Sequence, residues 1–169
     1  IIEEAIELRK HGVKIPIMLL GYTNPEYFKT AIENDITLTI LTVEDAGVLS
    51  ETAKKLGKTA KIHIPVDTGM SRIGFTPDEK GADEVKKITS LDNILLEGVF
   101  THFATSDEAD KEFTKLQAQR FRDFKKLLSL RCIAPEIFHC ANSGAIIQHK
   151  SASFDMMRAG IILYGLYPS

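Results

Sequence analysis

The chain has 169 residues, of which 44% are hydrophobic and 26% are charged, a balance typical of an ordinary folded domain. Its formal net charge is -2 and its basic residues are scattered, which argues against a nucleic-acid partner. Its apolar stretches are far shorter than the roughly 20 residues that span a bilayer, so we expect no membrane contact from this segment.

Helical patterns alternate with short apolar runs along the whole length, which indicates repeated β/α units. The first residues already read as helix without a basic leader, and we therefore expect the chain to begin partway through a longer protein. The predicted strands lie at 15–20, 36–41, 62–66, 94–100 and 137–140. The predicted helices alternate with them: the first runs from Ile2 and stops at Gly12, the second is opened by Asn24 and Pro25, and the third spans 43–56 with Thr42 as its cap. A further helix starts at 76–79 with Glu79 completing a capping box, and the last spans 107–130.

Strands joined by helical crossovers are parallel, which leaves a doubly wound sheet or a barrel as the fold. No glycine-rich dinucleotide fingerprint occurs, and about six strands in 169 residues are fewer than the eight of a complete (β/α)8 barrel. We predict an α/β fold, a partial TIM-like barrel with about six of the eight units. Because an open barrel exposes two sheet edges, we expect the chain alone to be unstable or associated.

In such barrels the functional residues follow the carboxyl ends of the strands. After the third predicted strand, the segment 67–75 carries two glycines that permit tight turns and Arg72, a permanently charged planar donor. One interpretation is a site for an anionic group. The other, equally supported by this local pattern, is a structural loop in which Arg72 pairs with Asp67.

Two histidines lie on or after strands, His63 within the third and His102 after the fourth. A histidine in the position of His102, taken alone, is more often structural than catalytic, and His63 could face the barrel interior or the helices. No second ligand is spaced to make a metal site with them, so we predict no metal. Cys132 and Cys140 are too few for a disulfide scaffold or a cysteine-based zinc site and fit a reducing, cytoplasmic compartment.

The last two loops have features of phosphate sites. Ser143 begins an apolar helical turn, where backbone N–H groups favour an anion, although Asn142 or Ser143 could simply cap the helix. Arg158 follows the final apolar segment, with Gly160 shortly after it. Barrel enzymes often bind phosphate in these two loops.

Taken together and in this order, the segments from about Leu19 to Ser169 resemble the alanine racemase family, enzymes that use pyridoxal 5′-phosphate on a fold-type III barrel. The motifs that carry the resemblance are VDTGMSRIG at 66–74, EGVFTHFA at 97–104, Asn142-Ser143, and RAGIILYGLYPS at 158–169. The resemblance implies racemisation of alanine for peptidoglycan synthesis.

The resemblance also implies roles for individual residues. Arg72 would lie near the phenolic oxygen of the cofactor and the substrate carboxylate, and His102 would pack on the pyridine ring. Arg158 would hydrogen-bond the ring nitrogen. The phosphate would be held by Ser143 with the backbone N–H groups of Gly160 and Ile161.

In this family the two acid/base groups are the cofactor lysine and a tyrosine from the partner subunit of a homodimer. The resemblance places both outside residues 1–169, the lysine in an earlier barrel strand and the tyrosine in a C-terminal β-rich domain. Tyr164 and Tyr167 match the closing motif and not that tyrosine. We therefore expect residues 1–169 to be a partial cofactor-binding barrel domain that is inactive alone.

Two positions depart from the family pattern. Pro65 replaces a lysine that in many members is carbamylated and positions the arginine, so another group must orient Arg72. Ala159 replaces a common proline, a mild change. The segments 20–23 and 63–66 are also similar to the racemase domains associated with vancomycin resistance, which act on serine as well as alanine.

Three alternatives therefore stay open. They are a serine or dual serine/alanine racemase, a non-catalytic pyridoxal phosphate-binding protein that lacks the acid/base pair, and a different phosphate-binding barrel enzyme.

Overall fold

The computed structural model describes residues 1–149, 152 and 154–168. Within them the α-helices are α1 Ile2–Lys10, α2 Phe28–Glu33, α3 Val43–Lys55, α4 Glu79–Thr89, α5 Glu112–Leu130 and α6 Ser143–Gln148. The strands are β1 Ile17–Met18, β2 Ile36–Thr39, β3 Ala60–Pro65, β4 Ile94–Phe100, β5 Ile137–Ala141 and β6 Met156–Met157. Short 3-10 helices lie at Pro25–Tyr27 and Ile161–Tyr164. Ser169, the last residue of the closing motif, lies outside the described residues.

The strands form one parallel sheet in the order β1-β2-β3-β4-β5-β6, and the sheet is curled into a half-barrel. A doubly wound sheet would reverse its strand order at a switch point, and this sheet does not. The predicted partial barrel with about six units is confirmed.

The helices cover the outer face of the sheet. Phe138 on β5 packs edge-on against Phe121 of α5, with ring centroids 6.0 Å apart. Since neighbouring side chains in a strand point to opposite faces, His139 points to the barrel interior. β3 is also buried on both faces, because the consecutive residues Ile62, His63 and Ile64 are all buried.

Two of the predicted helix starts have the expected cap, and a third falls within the predicted residues but has no capping box. Thr42 and Asn24 cap their helices as expected, each through a side-chain oxygen that accepts a backbone N–H. The start at 76–79 differs, because Asp78 is the N-cap and accepts from Gly81 N at 2.9 Å. Glu79 is therefore the first helical residue and completes no capping box.

The remaining differences are in element length. The helix predicted at 107–130 begins at Glu112, because the side chain of Asp110 accepts from Glu112 N at 2.9 Å and ends the preceding turns. The strand predicted at 15–20 is reduced to Ile17–Met18, since Pro16 has no N–H to donate and the carbonyl of Ile15 is bound by Arg9.

In the described part of the chain, no helix is long and apolar enough to cross a membrane. Cys132 and Cys140 are both free thiols, the first exposed and the second buried. Burial raises the pKa of Cys140 to about 12, so this thiol is inert at neutral pH.

Candidate functional site

A cavity of about 630 Å³ lies where the carboxyl ends of β3, β4, β5 and β6 meet. Its volume falls in the range of roughly 300–1,000 Å³ that is typical of small-molecule sites. The site residues predicted from the sequence all line it, namely Arg72, His102, Ser143, Arg158, Gly160 and Ile161. The barrel thus brings together four loops that are up to about ninety residues apart in the chain.

The loop after β3 is closed by backbone hydrogen bonds at its base. Asp67 N donates to Phe75 O at 2.9 Å, and Phe75 N donates to Pro65 O at 3.0 Å. This close approach requires Gly74, whose φ is +127° and at which a Cβ would lie 2.7 Å from Asp67 N. The carboxylate of Asp67 accepts from the backbone N–H groups of Gly69 and Ser71 within the loop.

Arg72 is exposed on this loop at the rim of the cavity. In the part of the chain that the structure describes, its guanidinium makes no hydrogen bond and no ion pair. The predicted pairing with Asp67 is therefore wrong, because that carboxylate is occupied by the loop backbone. The anion-site interpretation of Arg72 remains a prediction.

Arg158, directly after β6, is half-buried at the floor of the cavity. Its Nη1 donates to His139 Nδ1 at 2.5 Å, and its Nη2 donates to Thr101 O at 2.8 Å and to Cys140 O at 3.3 Å. Its guanidinium also lies over the ring of Phe100, with Cζ 5.5 Å from the centroid. Burial lowers the pKa of Arg158 to about 10, which still leaves it protonated at neutral pH.

His102 lies between the two arginines. Its Nδ1 is 3.4 Å from Arg158 Nη2, and its Nε2 is 3.5 Å from Asn142 Nδ2. Burial, followed by the charges of Arg158 and Arg72, lowers the pKa of His102 to about 4. The ring is therefore neutral at pH 7, which suits stacking on an aromatic ligand better than proton transfer.

Ser143 is the first residue of α6, and the cap of this helix is Asn142, whose side chain accepts from Ala145 N at 3.0 Å. Ser143 is thereby released from the capping role that the sequence left open. Its hydroxyl oxygen instead accepts from Gly160 N at 3.1 Å and from Ile162 N at 3.5 Å. This contact joins the loop after β5 to the loop after β6.

Sequence reasoning missed Gln117, which ties the first two loops to α5. Its side chain is fully buried, donates to Thr68 Oγ1 and His102 O, and accepts from Ala104 N at 2.9 Å. Thr68 and Thr101 also share a hydrogen bond of 2.8 Å. The available signal was a glutamine on the apolar face of a helix, where a polar side chain must find partners.

A second group, from which the sequence singled out only His63, lies beneath Arg158. His139 and His63 contact each other, and His63 contacts Glu97. Within the described residues no group of three or more His, Cys, Asp or Glu side chains could hold a metal ion. These three side chains instead bond one another.

The sequence model of the alanine racemase N-terminal domain matches residues 1–168. The chain belongs to the alanine racemase family. It is 48% identical to an alanine racemase of Methanococcus maripaludis over 98% of the chain and 44% of that protein. It is also 48% identical to an alanine racemase of Clostridium perfringens over 100% of the chain and 44% of that protein.

Solved structures of the family have the same fold. An alanine racemase of Clostridium difficile superposes with a TM-score of 0.97 at 45% identity, over 99% of this chain and 44% of that one. The alanine racemase of Bacillus anthracis with bound L-Ala-P superposes with a TM-score of 0.90 at 34% identity, over 99% of this chain and 43% of that one. The chain thus spans less than half the length of these relatives.

Proposed function

We propose that residues 1–169 form the cofactor-binding part of an alanine racemase that uses pyridoxal 5′-phosphate. The observation that carries the proposal is Arg158, a protonated guanidinium fixed by three acceptors at the floor of the family's barrel cavity. Of its five N–H groups, the one on Nε and one on Nη1 have no acceptor in the described part of the chain. These donors suit a ring nitrogen that accepts a hydrogen bond.

The arginine also favours one type of chemistry. When bound, pyridoxal phosphate withdraws electrons from the α-carbon of an amino acid and so makes its proton removable. A ring nitrogen opposite Arg158 stays unprotonated, because the guanidinium keeps its own proton at neutral pH. The weaker electron withdrawal that results suits removal and return of one proton and disfavours side reactions such as transamination.

The phosphate is assigned to Ser143, Gly160 and Ile161. The N–H of Ile161 makes no hydrogen bond within the described residues, whereas those of Gly160 and Ile162 are turned to the Ser143 hydroxyl. That hydroxyl accepts from the backbone and so keeps its own hydrogen for a phosphate oxygen. A Cβ at residue 160 would lie 3.8 Å from Ser143 Oγ, an ordinary van der Waals distance, so Gly160 is assigned for its backbone N–H, which would turn from the Ser143 hydroxyl to the phosphate.

Neutral His102 is assigned to the face of the pyridine ring. Arg72, whose guanidinium on the rim has no partner among the described residues, is assigned to the phenolic oxygen of the cofactor and the substrate carboxylate. Racemisation needs one acid/base group on each face of the α-carbon. In this proposal a lysine and a tyrosine outside residues 1–169 provide them, the tyrosine from the partner subunit of a homodimer.

The test is a titration of the full-length protein, freed of cofactor, with pyridoxamine 5′-phosphate, which binds without a lysine linkage. Saturable binding that weakens at least about tenfold in Arg158→Ala is expected. Equal binding by the wild type and the variant would contradict the assignment and favour a different phosphate-binding barrel enzyme.

The reaction itself is tested by conversion of L-alanine to D-alanine, with L-serine assayed in parallel. Production of D-alanine is expected to exceed that of D-serine. Binding of pyridoxamine phosphate without racemisation of either substrate would identify a non-catalytic binding protein.

A further inference from the structure

A line of four side chains crosses the barrel interior from Glu97 of β4 to Arg158 at the cavity floor. Glu97 Oε2 lies 3.2 Å from His63 Nε2, His63 Nδ1 lies 2.9 Å from His139 Nε2, and His139 Nδ1 lies 2.5 Å from Arg158 Nη1. The two histidines are 2% and 0% exposed, so water does not compete for these bonds. Each of the four residues belongs to, or directly follows, a different strand.

We call this line of Glu97, His63, His139 and Arg158 the relay. The two residues at its ends determine which ring nitrogen of each histidine carries the proton. Arg158 only donates, so His139 Nδ1 must accept and His139 carries its proton on Nε2. His139 then donates to His63 Nδ1, and His63 donates from Nε2 to the carboxylate of Glu97, which only accepts. Both rings are neutral, because burial lowers the pKa of His139 to about 2 and also lowers the pKa of His63.

Irregularities in the sheet place the members of the relay. The register of β3 and β4 pairs Ile62 with Leu96 and then His63 with Gly98, so Glu97 is an extra residue in β4. A bulge of this kind re-aims a side chain, and here it directs Glu97 toward His63. The ring of His63 fits only because residue 98 is glycine, since a Cβ there would lie 2.3 Å from His63 Cε1.

A second irregularity aims Arg158. The register of β5 and β6 pairs His139 with Met156 and then Ala141 with Met157, so Cys140 is the extra residue. Arg158 N then donates to Ala141 O at 2.9 Å, which turns the arginine toward the strand that carries His139. A bulge therefore lies at each end of the relay. Both bulges interrupt the regular pairing of the sheet at the positions where they direct Glu97 and Arg158 into the barrel interior.

We propose that Glu97 is a positioning residue that fixes, through His63 and His139, the orientation of the Arg158 guanidinium toward the cavity. The carboxylate touches neither the cavity nor Arg158 and acts only by setting the tautomers of the two rings. The consequence for cofactor binding rests on the proposed function, whereas the tautomers do not.

Without Glu97 the order of the protons is lost. His63 would have no acceptor at Nε2 and could move its proton to Nδ1, facing His139 Nε2. The proton of His139 would then be displaced to Nδ1, where it would oppose an N–H of Arg158. One guanidinium donor would lose its acceptor, and the arginine would be free to turn away from the cavity.

The primary measurement is histidine 15N NMR of the full-length protein without cofactor. The wild type is expected to show His63 and His139 both protonated on Nε2, and a proton on Nδ1 of either ring would overturn the proposal without any variant. Glu97→Ala is expected to give mixed tautomers at both rings. Glu97→Gln is expected to keep the wild-type pattern, because its amide oxygen still accepts from His63.

Titration with pyridoxamine 5′-phosphate completes the test. The affinity of Glu97→Ala is expected to fall about five- to tenfold, and that of Glu97→Gln to stay within about twofold of the wild type. Glu51→Ala, which removes an exposed glutamate from α3, is the matched control and is expected to change neither measurement. Equal losses in Glu97→Ala and Glu97→Gln would overturn the relay.

The two proposals fail in different ways. If the wild type bound no pyridoxamine phosphate but showed the expected tautomers, the cofactor assignment alone would be wrong. If it bound the ligand and Glu97→Ala bound it equally well, the role of Glu97 alone would be wrong.

Discussion

The interior of the barrel and the rim of its cavity hold their arginines in opposite ways. Arg158 in the interior has acceptors from a histidine ring and two backbone carbonyls, while Arg72 on the rim has none in the described part of the chain. The backbone of the rim loop is nevertheless ordered, because Asp67 accepts two N–H groups within it. The protein therefore provides acceptors for three of the five N–H groups of Arg158. It provides none for Arg72 within the described residues, which leaves that guanidinium for a ligand or a further segment to bind.

The difference follows from solvation. A charge removed from water must be paired or hydrogen-bonded, so the half-buried guanidinium of Arg158 requires its acceptors in the absence of any ligand. An exposed guanidinium is solvated by water and requires no acceptor from the protein. We therefore expect substitutions in the interior to change both stability and binding, and substitutions on the rim to change binding alone.

The largest effect is expected from Gly98→Ala, which puts a methyl group into the space of the His63 ring. That ring is enclosed by Glu97 and His139 and has no room to move. The free energy of unfolding is expected to fall by about 3 kcal/mol or more, as measured by urea denaturation.

The matched control is Gly47→Ala in α3, where an added Cβ meets nothing within 4 Å. Helix propensity predicts a gain of up to about 1 kcal/mol there. Equal stability of Gly98→Ala and the wild type would show that the interior is less tightly packed than the relay requires.

The next effect is expected from Arg158→Met, which keeps much of the side-chain volume and removes the donors. The carbonyl of Thr101 and His139 Nδ1 would lose their partner, and each buried unsatisfied acceptor costs about 1–3 kcal/mol. We expect a loss of about 2–3 kcal/mol in unfolding free energy together with weak binding of pyridoxamine phosphate. Weak binding with an unchanged free energy of unfolding would mean that Arg158, like Arg72, contributes to ligand binding and not to stability.

Residues that follow strands were predictable, and residues inside strands were not. Arg158 and Ser143 could be placed at the cavity because the carboxyl ends of parallel strands meet at one end of a barrel. His139 lies within a strand that is buried on both faces, so no alternation in the sequence reveals which face it occupies. Glu97 depends on a bulge, and a one-residue shift in register has no local sequence signal.

Helix boundaries show the same limit in another form. Thr42 was recognisable as a cap because the apolar period starts directly after it, and it accepts from Asp45 N as expected. At 76–79 two residues, Thr76 and Asp78, could each have capped the helix, and the choice of Asp78 depends on which side chain reaches Gly81 N. Competition between equivalent local hydrogen bonds is decided by tertiary packing, which the sequence pattern does not describe.

A smaller effect on the free energy of unfolding is expected when the pH is lowered, because of the buried histidines. Burial lowers the pKa of His139 from 6.5 to about 2 and that of His102 from 6.5 to about 4. Between pH 6.5 and pH 4 the unfolded chain therefore binds more protons than the folded one, and stability falls as the pH falls. For fully buried His139 the expected slope is about 1.4 kcal/mol per pH unit.

Urea denaturation at several pH values between 7.5 and 4.5 measures this slope. His139→Asn, whose amide does not titrate, is expected to show a shallower dependence than the wild type. The same slope in both proteins would place the titrating groups outside the interior.

The smallest effect on stability is expected from Arg72→Met, the rim counterpart of the interior variant. Because the guanidinium has no partner within the described residues, the free energy of unfolding is expected to change by less than about 0.5 kcal/mol. The kcat/KM of the full-length protein for alanine is expected to fall at least about tenfold, since a bidentate contact to the carboxylate would be lost. A stability loss as large as that of Arg158→Met would mean that a segment outside the described residues binds Arg72. The guanidinium of Arg72 would then be bound by protein acceptors, as that of Arg158 is. A different group would have to orient the substrate.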